Sequence, residues 1–257
     1  KLGTALTLFI LISAAGLLSS GTTAIVSSLV FCELLRHLRL DRRSAVRACV
    51  YACYAIGLGA ALTPLGEPLS TIITAKLRGA PHEAGFFWLA RLLAPWAVPA
   101  ILAAAAMGAY WRRPSPEPRP ADGGSHDEST RSLVLRSAKV YIFIAALVWL
   151  GEGLKPLAEA ALPSLLDWQL YLLGLSSAAL DNATLASAGI VPSMSRRQIL
   201  SLTLSLLVSG GMLIPGNIPN IIAASKLGIR SREWASIALP PGLVLLGLYF
   251  LALSLTR

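Results

Sequence analysis

Charge is what this sequence has least of. Only 14% of its 257 residues are acidic or basic, against roughly 25% in soluble domains. The deficit is gathered into runs, with no charged side chain in Gly3–Ser20, Ala48–Thr63, Leu92–Ala109, Val140–Leu150 or Ile237–Leu255. Several of these approach the ~20 residues that a helix needs to cross a bilayer. That excludes a soluble enzyme and a disordered chain. Cysteine is also scarce. Cys32, Cys49 and Cys53 lie in or beside apolar segments, and three cysteines without ligand spacing exclude a disulfide scaffold and a zinc site. Histidine occurs only at His37, His82 and His126, all in or beside connectors, so no His-based dyad or metal cluster lies at membrane depth. The chain is therefore not expected to be an enzyme or to carry a cofactor. No cleavable signal peptide is visible.

What is present is basic. The net charge is +9, and 17 of the 22 basic residues are Arg, most of them in short connectors. The positive-inside rule produces that pattern, so the charge calls for a bilayer and not for nucleic acid. The sequence specifies an all-α polytopic membrane protein.

Residues 112–139 hold Pro114, Pro116, Pro118, Pro120 and Gly123-Gly124 amid mixed charges, the composition of a linker. They separate a first membrane unit (1–111) from a second (140–257), and the two units are related. Gly66-Glu67-Pro68-Leu69-Ser70-Thr71-Ile72-Ile73-Thr74-Ala75-Lys76-Leu77 aligns with Gly216-Asn217-Ile218-Pro219-Asn220-Ile221-Ile222-Ala223-Ala224-Ser225-Lys226-Leu227 at a constant offset of 150. Upstream, Ser44–Leu62 matches Gln198–Leu213, each preceded by an Arg pair. Further upstream, Ser19–Thr23 and Ser177–Thr184 are polar breaks between apolar arms. Downstream, Phe86–Tyr110 matches Trp234–Leu255. Recurrence in one order is the mark of an internal repeat.

Charge then orients the repeat. If each polar break is the tip of a re-entrant hairpin, and Ser44–Leu77 and its partner are spanning helices broken midway, three basic segments share one face. These are Arg36–Arg47, the linker and Lys226–Arg232, with fourteen Lys and Arg between them. That face is expected to be cytoplasmic, and the repeat is then inverted. The second unit opens with Tyr141–Leu157, whose counterpart would precede Lys1, so at least one further helix is expected upstream.

Backbone broken inside a membrane is tolerated only where protein buries it or a cavity needs it, and paired broken helices point to a midplane ion site. The only three asparagines, Asn182, Asn217 and Asn220, all fall in the second unit's breaks. Asp181 and Glu67 are the acids there. Asp181, Asn182 and Asn217 are candidate Na⁺ ligands, since oxygen-rich clusters suit hard cations; Asn220, Thr22, Thr23, Ser70, Thr71 and Thr184 are further candidates. Structural alternatives stand beside these. Asp181 suits a helix N-cap, Glu67 a helix dipole, the asparagines unwound carbonyls, and the hydroxyls helix packing. Glu152 and Lys155, at i and i+3, are candidates for an ion pair or a relay, Arg91 is expected to snorkel, and a charged cap at membrane depth is costly, which weighs against capping as the sole role of Asp181.

Thr63–Ile72, Gly151–Leu157, Leu180–Ala186 and Ser209–Ala224 resemble a prokaryotic family of predicted cation transporters, domain of unknown function 1646, in the ion transporter superfamily. The resemblance covers essentially the whole chain. It implies inverted repeats with two re-entrant hairpins and two broken helices, as in sodium-coupled dicarboxylate carriers and related Na⁺/H⁺ antiporters, and an N-terminal extension. One departure is Gly189, where an acid is expected after the Leu180–Ala188 run. The resemblance carries over a class and not a substrate.

These readings converge on a secondary active transporter of Na⁺ or H⁺ in the prokaryotic inner membrane, antiporter-like, with Asp181 as main ion-linked carboxylate and Glu67 as second. Its partners would be the bilayer and a small cation, with a homodimer left open. The alternative is a cation-coupled carrier of an organic or inorganic anion; half-helix N-termini would suit it, but no Arg lies at either break to clamp one. A linker of this composition has little to pack with. Shortening Pro114–Ser129 while keeping several residues should therefore leave flux in proteoliposomes intact, and complete loss in correctly inserted protein would contradict the reading.

Overall fold

Among the described residues the apolar runs become helices, and the polar breaks end them. The computed structural model describes residues 3–38, 40–110 and 156–256, together with 138, 142, 145, 146, 149, 153 and 154. Glu152, Lys155, the linker and most of Tyr141–Leu157 lie outside the described residues, so the ion-pair reading stays with the sequence. Among the described residues the chain is all-helical, with no strand.

The first unit comprises α1 (Thr4–Thr22), α2 (Ala24–His37), α3 (Arg42–Ala60), α4 (Pro68–Lys76) and α5 (Trp88–Tyr110). Asp41 starts α3 by accepting a hydrogen bond from the Ser44 amide at 3.2 Å, as N-caps do. Pro68 opens α4, where its missing N–H costs nothing. The second unit comprises α6 (Asp167–Gly174) with a 3₁₀ turn (Leu175–Ala178), α7 (Asn182–Gly189), α8 (Arg196–Gly210), α9 (Ile218–Leu227) and α10 (Ser231–Leu255). Ser195 and Gln198 form a capping box for α8. Gly228, in the left-handed region at φ 59°, ends α9, the usual work of a glycine at that position. The order of elements is the same in both units.

α3 is buried on every side from Ala48 to Ala60, as an apolar helix at a core must be. It packs on α1, α2 and α5, while α8 packs on α6. Small residues bring α1 and α3 together. A Cβ on Gly59 would lie 1.8 Å from the Gly16 carbonyl oxygen, and Ser19 Oγ donates across the crossing to Ile56 O at 3.0 Å. The units exchange partners as well: α9 packs on α2 of the first unit, and α4 on α7 of the second.

Thr4–Thr22, Trp88–Tyr110 and Ser231–Leu255 are long and apolar enough to cross a membrane. Leu6, Ile10, Leu17 and Leu18 on α1, with Leu243, Val244, Leu248 and Leu251 on α10, are exposed. So large an uncovered apolar surface suits lipid and not water.

The connectors pair between units. At one end Arg36 donates to Lys226 O at 2.7 Å. Arg42 donates to Leu227 O and Gly228 O, both at 2.8 Å, and to both carboxylate oxygens of Glu233. At the next pair of connectors, Lys76 Nζ donates to Ser187 O and Ile190 O, and His82 Nε2 sits 3.1 and 2.9 Å from Pro192 O and Met194 O. Cationic and N–H donors of the first unit thus take up the last carbonyls of α9 and α7, where a helix leaves them without partners.

The α1–α3 crossing generates a prediction. Gly59→Ala should lower stability by about 1–3 kcal/mol or more, since the added carbon meets backbone and not a pliable side chain. A thermal melt in detergent equal to wild type would show that the crossing yields.

Candidate functional site

Two helix breaks and two polar inter-helix turns build the site. At the first turn Thr23 stands at φ 78°, a position that a β-branched residue occupies at a cost of about 1–3 kcal/mol. Three hydrogen bonds hold it there. Its amide donates to Ser19 O at 3.1 Å, the Ala24 amide donates to Gly66 O at 2.7 Å, and its hydroxyl accepts from the Val26 amide at 3.3 Å to start α2. The Thr63 hydroxyl, from the first break, donates to Ser20 O at 2.5 Å. The turn between α1 and α2 and the break between α3 and α4 are therefore one unit.

The two breaks repeat one solution. Gly66 leaves room for the Ala60 carbonyl, 1.9 Å from where its Cβ would be, and Gly216 does the same for the Gly210 carbonyl at 2.6 Å. Ser70 Oγ reaches Ala60 O at 3.4 Å and Glu67 O at 2.8 Å. At the equivalent place, Asn220 Nδ2 donates to Gly210 O at 2.8 Å and Leu213 O at 2.9 Å. Carbonyls freed by each break thus receive a side-chain donor one turn into the next half-helix. Asn217 Oδ1 accepts from the Ile218 amide at 2.8 Å.

Asp181 caps α7. Its Oδ2 accepts from the Thr184 amide at 3.0 Å and the Thr184 hydroxyl at 3.2 Å, and the residue is half-buried. Glu67 differs. It stands at the N-cap position of α4, yet its carboxylate makes no capping bond. It is 5% exposed, faces the side chains of Asn182 and Asn217, and is close enough to Asp181 to feel its charge. Glu67 Oε1, Asn182 Nδ2, Asn220 Oδ1 and Ser177 Oγ are all buried without a hydrogen-bond partner. Such groups each leave about 1–3 kcal/mol of desolvation uncompensated unless a guest supplies the missing bond. Glu67, with Thr23, Gly66, Thr71 and Ile218 among others, lines a cavity of about 270 Å³.

Of the residues singled out in the sequence, Glu67, Asp181, Asn182 and Asn217 come together. Asn220 lies one turn away, its amide nitrogen committed to backbone. Thr23 and Thr184 serve as cap and cap partner. Ser70 and Thr71 bond to carbonyls of the first break, with Thr71 Oγ1 at 2.5 Å from Pro64 O. Thr22 is exposed and shares a hydrogen bond with Ser27 at 2.8 Å. Among the described residues no group of three His, Cys, Asp or Glu converges as a metal site requires, and Cys32, Cys49 and Cys53 are buried free thiols.

Two residues were missed. Ser177 is fully buried beside Gly210, where a Cβ would meet its Oγ at 3.3 Å and Asn182 Cβ at 3.7 Å. The signal was available, because aligning the turns on Thr23 and Asp181 puts buried Ser19 over Ser177. The other is Gly57, whose missing Cβ leaves the space that Asn217 Nδ2 occupies, 2.8 Å from it.

The fold and the site define an all-helical chain suited to a membrane, whose two interrupted helices bring buried polar groups together. It matches the family model described as "Protein of unknown function (DUF1646)" over residues 1–256, and it belongs to that family. No curated protein and no solved structure matches it.

The repeated backbone solution is testable by comparison. Asn220→Ala leaves Gly210 O and Leu213 O without their donor and should cost about 1–3 kcal/mol. Ser70→Ala should cost less, because its bond to Ala60 O is already long at 3.4 Å. Detergent melts showing the reverse order would mean that the second break is held by something else.

Proposed function

We propose that this protein is a secondary active transporter of a small cation, Na⁺ or H⁺, working antiporter-like by alternating access in a prokaryotic inner membrane. Glu67 carries the proposal. A buried carboxylate at a helix break with an unbonded oxygen, facing amides and a second carboxylate from the other unit, is the arrangement that a cation completes. Pro68 and Ile218, the first residues of α4 and α9, line one cavity here. The positive ends of these helices alone would suit an anion, but Glu67 already occupies the place an anionic substrate would need.

The pairing of connectors supports the inverted reading of the repeat. The segment entering α3 meets the segment leaving α9, and the segment entering α8 meets the segment leaving α4. Two units related by inversion across a membrane plane are joined in that way, with the α1–α2 and α6–α7 turns as re-entrant tips at mid-membrane. Arg36, Arg42, Arg43, Arg47, Lys226, Arg230 and Arg232 then share the cytoplasmic face.

The two carboxylates differ in what they already hold. One oxygen of Asp181 caps α7, whereas Glu67 caps nothing, so Glu67 is the primary ion-linked group and Asp181 the second. The measurement is Na⁺ and H⁺ flux in proteoliposomes under imposed gradients. Glu67→Gln should abolish coupled flux. Asp181→Asn keeps a good N-cap, so it should leave the melting temperature nearly unchanged while slowing flux. A Glu67→Gln protein that transports as wild type does would end the proposal.

A further inference from the structure

A second cavity lies apart from the breaks. Between α3, α5 and α10 the surface folds into a groove of about 730 Å³, within the size range of ligand sites. Its floor is one stripe of α3, formed by Arg43, Arg47, Tyr51, Tyr54 and Leu58, spaced at helical intervals so that all five face the same way. The stripe changes character along its length. Exposed Arg43 and half-buried Arg47 stand at one end, while Tyr51, Tyr54 and Leu58 are buried. The acid at that mouth, Glu233, is engaged through both oxygens by Arg42, at 3.0 and 2.8 Å. Farther in, the walls are apolar: Ala103 and Ala104 on α5, Val244 and Leu248 on α10. Val244 and Leu248 are 62% and 57% exposed, so the groove opens sideways as well as at its charged mouth.

We infer that this groove binds an anionic phospholipid, its phosphate between Arg43 and Arg47 and one acyl chain laid along α3 between α5 and α10. Two guanidinium groups one helical turn apart suit a phosphate, and basic pockets between membrane helices take anionic headgroups. Length agrees. At 1.5 Å per residue the stripe from Arg43 to Leu58 runs about 22 Å, a headgroup plus the ~15 Å of hydrocarbon in one leaflet. A free phosphate would use only the mouth and leave the apolar walls uncovered. A neutral lipid would bring no charge to the arginines. The inference rests on the bilayer placement proposed above and is independent of which ion is moved.

The test is thermal unfolding of the full-length protein in neutral detergent, with phosphatidylglycerol, phosphatidylcholine or inorganic phosphate added separately. Phosphatidylglycerol should raise the melting temperature saturably by several degrees, and the other two should not. The double variant Arg43→Gln/Arg47→Gln should lose that shift. So should Ala103→Trp, which fills the groove but keeps both arginines. The site is overturned if phosphatidylglycerol gives wild type no shift, if phosphate alone matches it, or if either variant keeps the shift. Should a variant fail to fold, the three-ligand comparison on wild type still decides, and lost flux with an intact lipid shift would count against the transport proposal alone.

Discussion

A helix that stops inside a packed core leaves amides and carbonyls where no water can receive them, and the rest of this structure follows from how those groups are satisfied. The breaks after Ala60 and Gly210 use one device: a glycine six residues on that admits the stranded carbonyl, and a side-chain donor four residues beyond that. The adjoining polar turn is drawn in by the same need, since Gly66 O accepts from the Ala24 amide and Ser20 O from the Thr63 hydroxyl. The polar groups of the site are buried because the backbone they serve is buried.

The same accounting holds at the ends of the short helices. α9 and α7 finish with free carbonyls, and the other unit supplies the donors: Arg36 and Arg42 for α9, Lys76 and His82 beyond α7. Charges placed at helix C-termini are favourable, and here they also join the units. Neither unit is complete alone, because the second takes hydrogen bonds from the first at the ends of its short helices and each packs a half-helix into the other.

Much of this is legible in the sequence. The 150-residue offset located both breaks, and Gly66 and Gly216 coincide because each admits a stranded carbonyl where a side chain would not fit. Charge runs located the connectors. What the sequence could not show is which way a side chain spends its hydrogen bonds. Asp181 and Glu67 look alike as acids beside a break, yet Asp181 has an amide three residues on to cap, and Glu67, followed by Pro68, turns its carboxylate elsewhere. Ser177 was passed over because serine in a polar turn is unremarkable until its neighbour is known to be Gly210. The groove between α3, α5 and α10 was out of reach altogether, since it depends on how three distant helices are spaced.

The departures from symmetry matter most for the chemistry. At equivalent places stand Glu67 and Asn217, Ser70 and Asn220, Thr23 and Asp181, Ala24 and Asn182. A strict repeat would set two Glu67-like carboxylates against each other in a dry core, and like charges at short range in low dielectric repel strongly. Here one of that pair is an amide, and the second carboxylate comes from the turn before α7, where the α7 amides and Thr184 already hold one of its oxygens. Each unit thus gives one acid to a common place, and the second unit adds the amides. The backbone solution is duplicated, while the two acids stand at non-equivalent positions of the repeat.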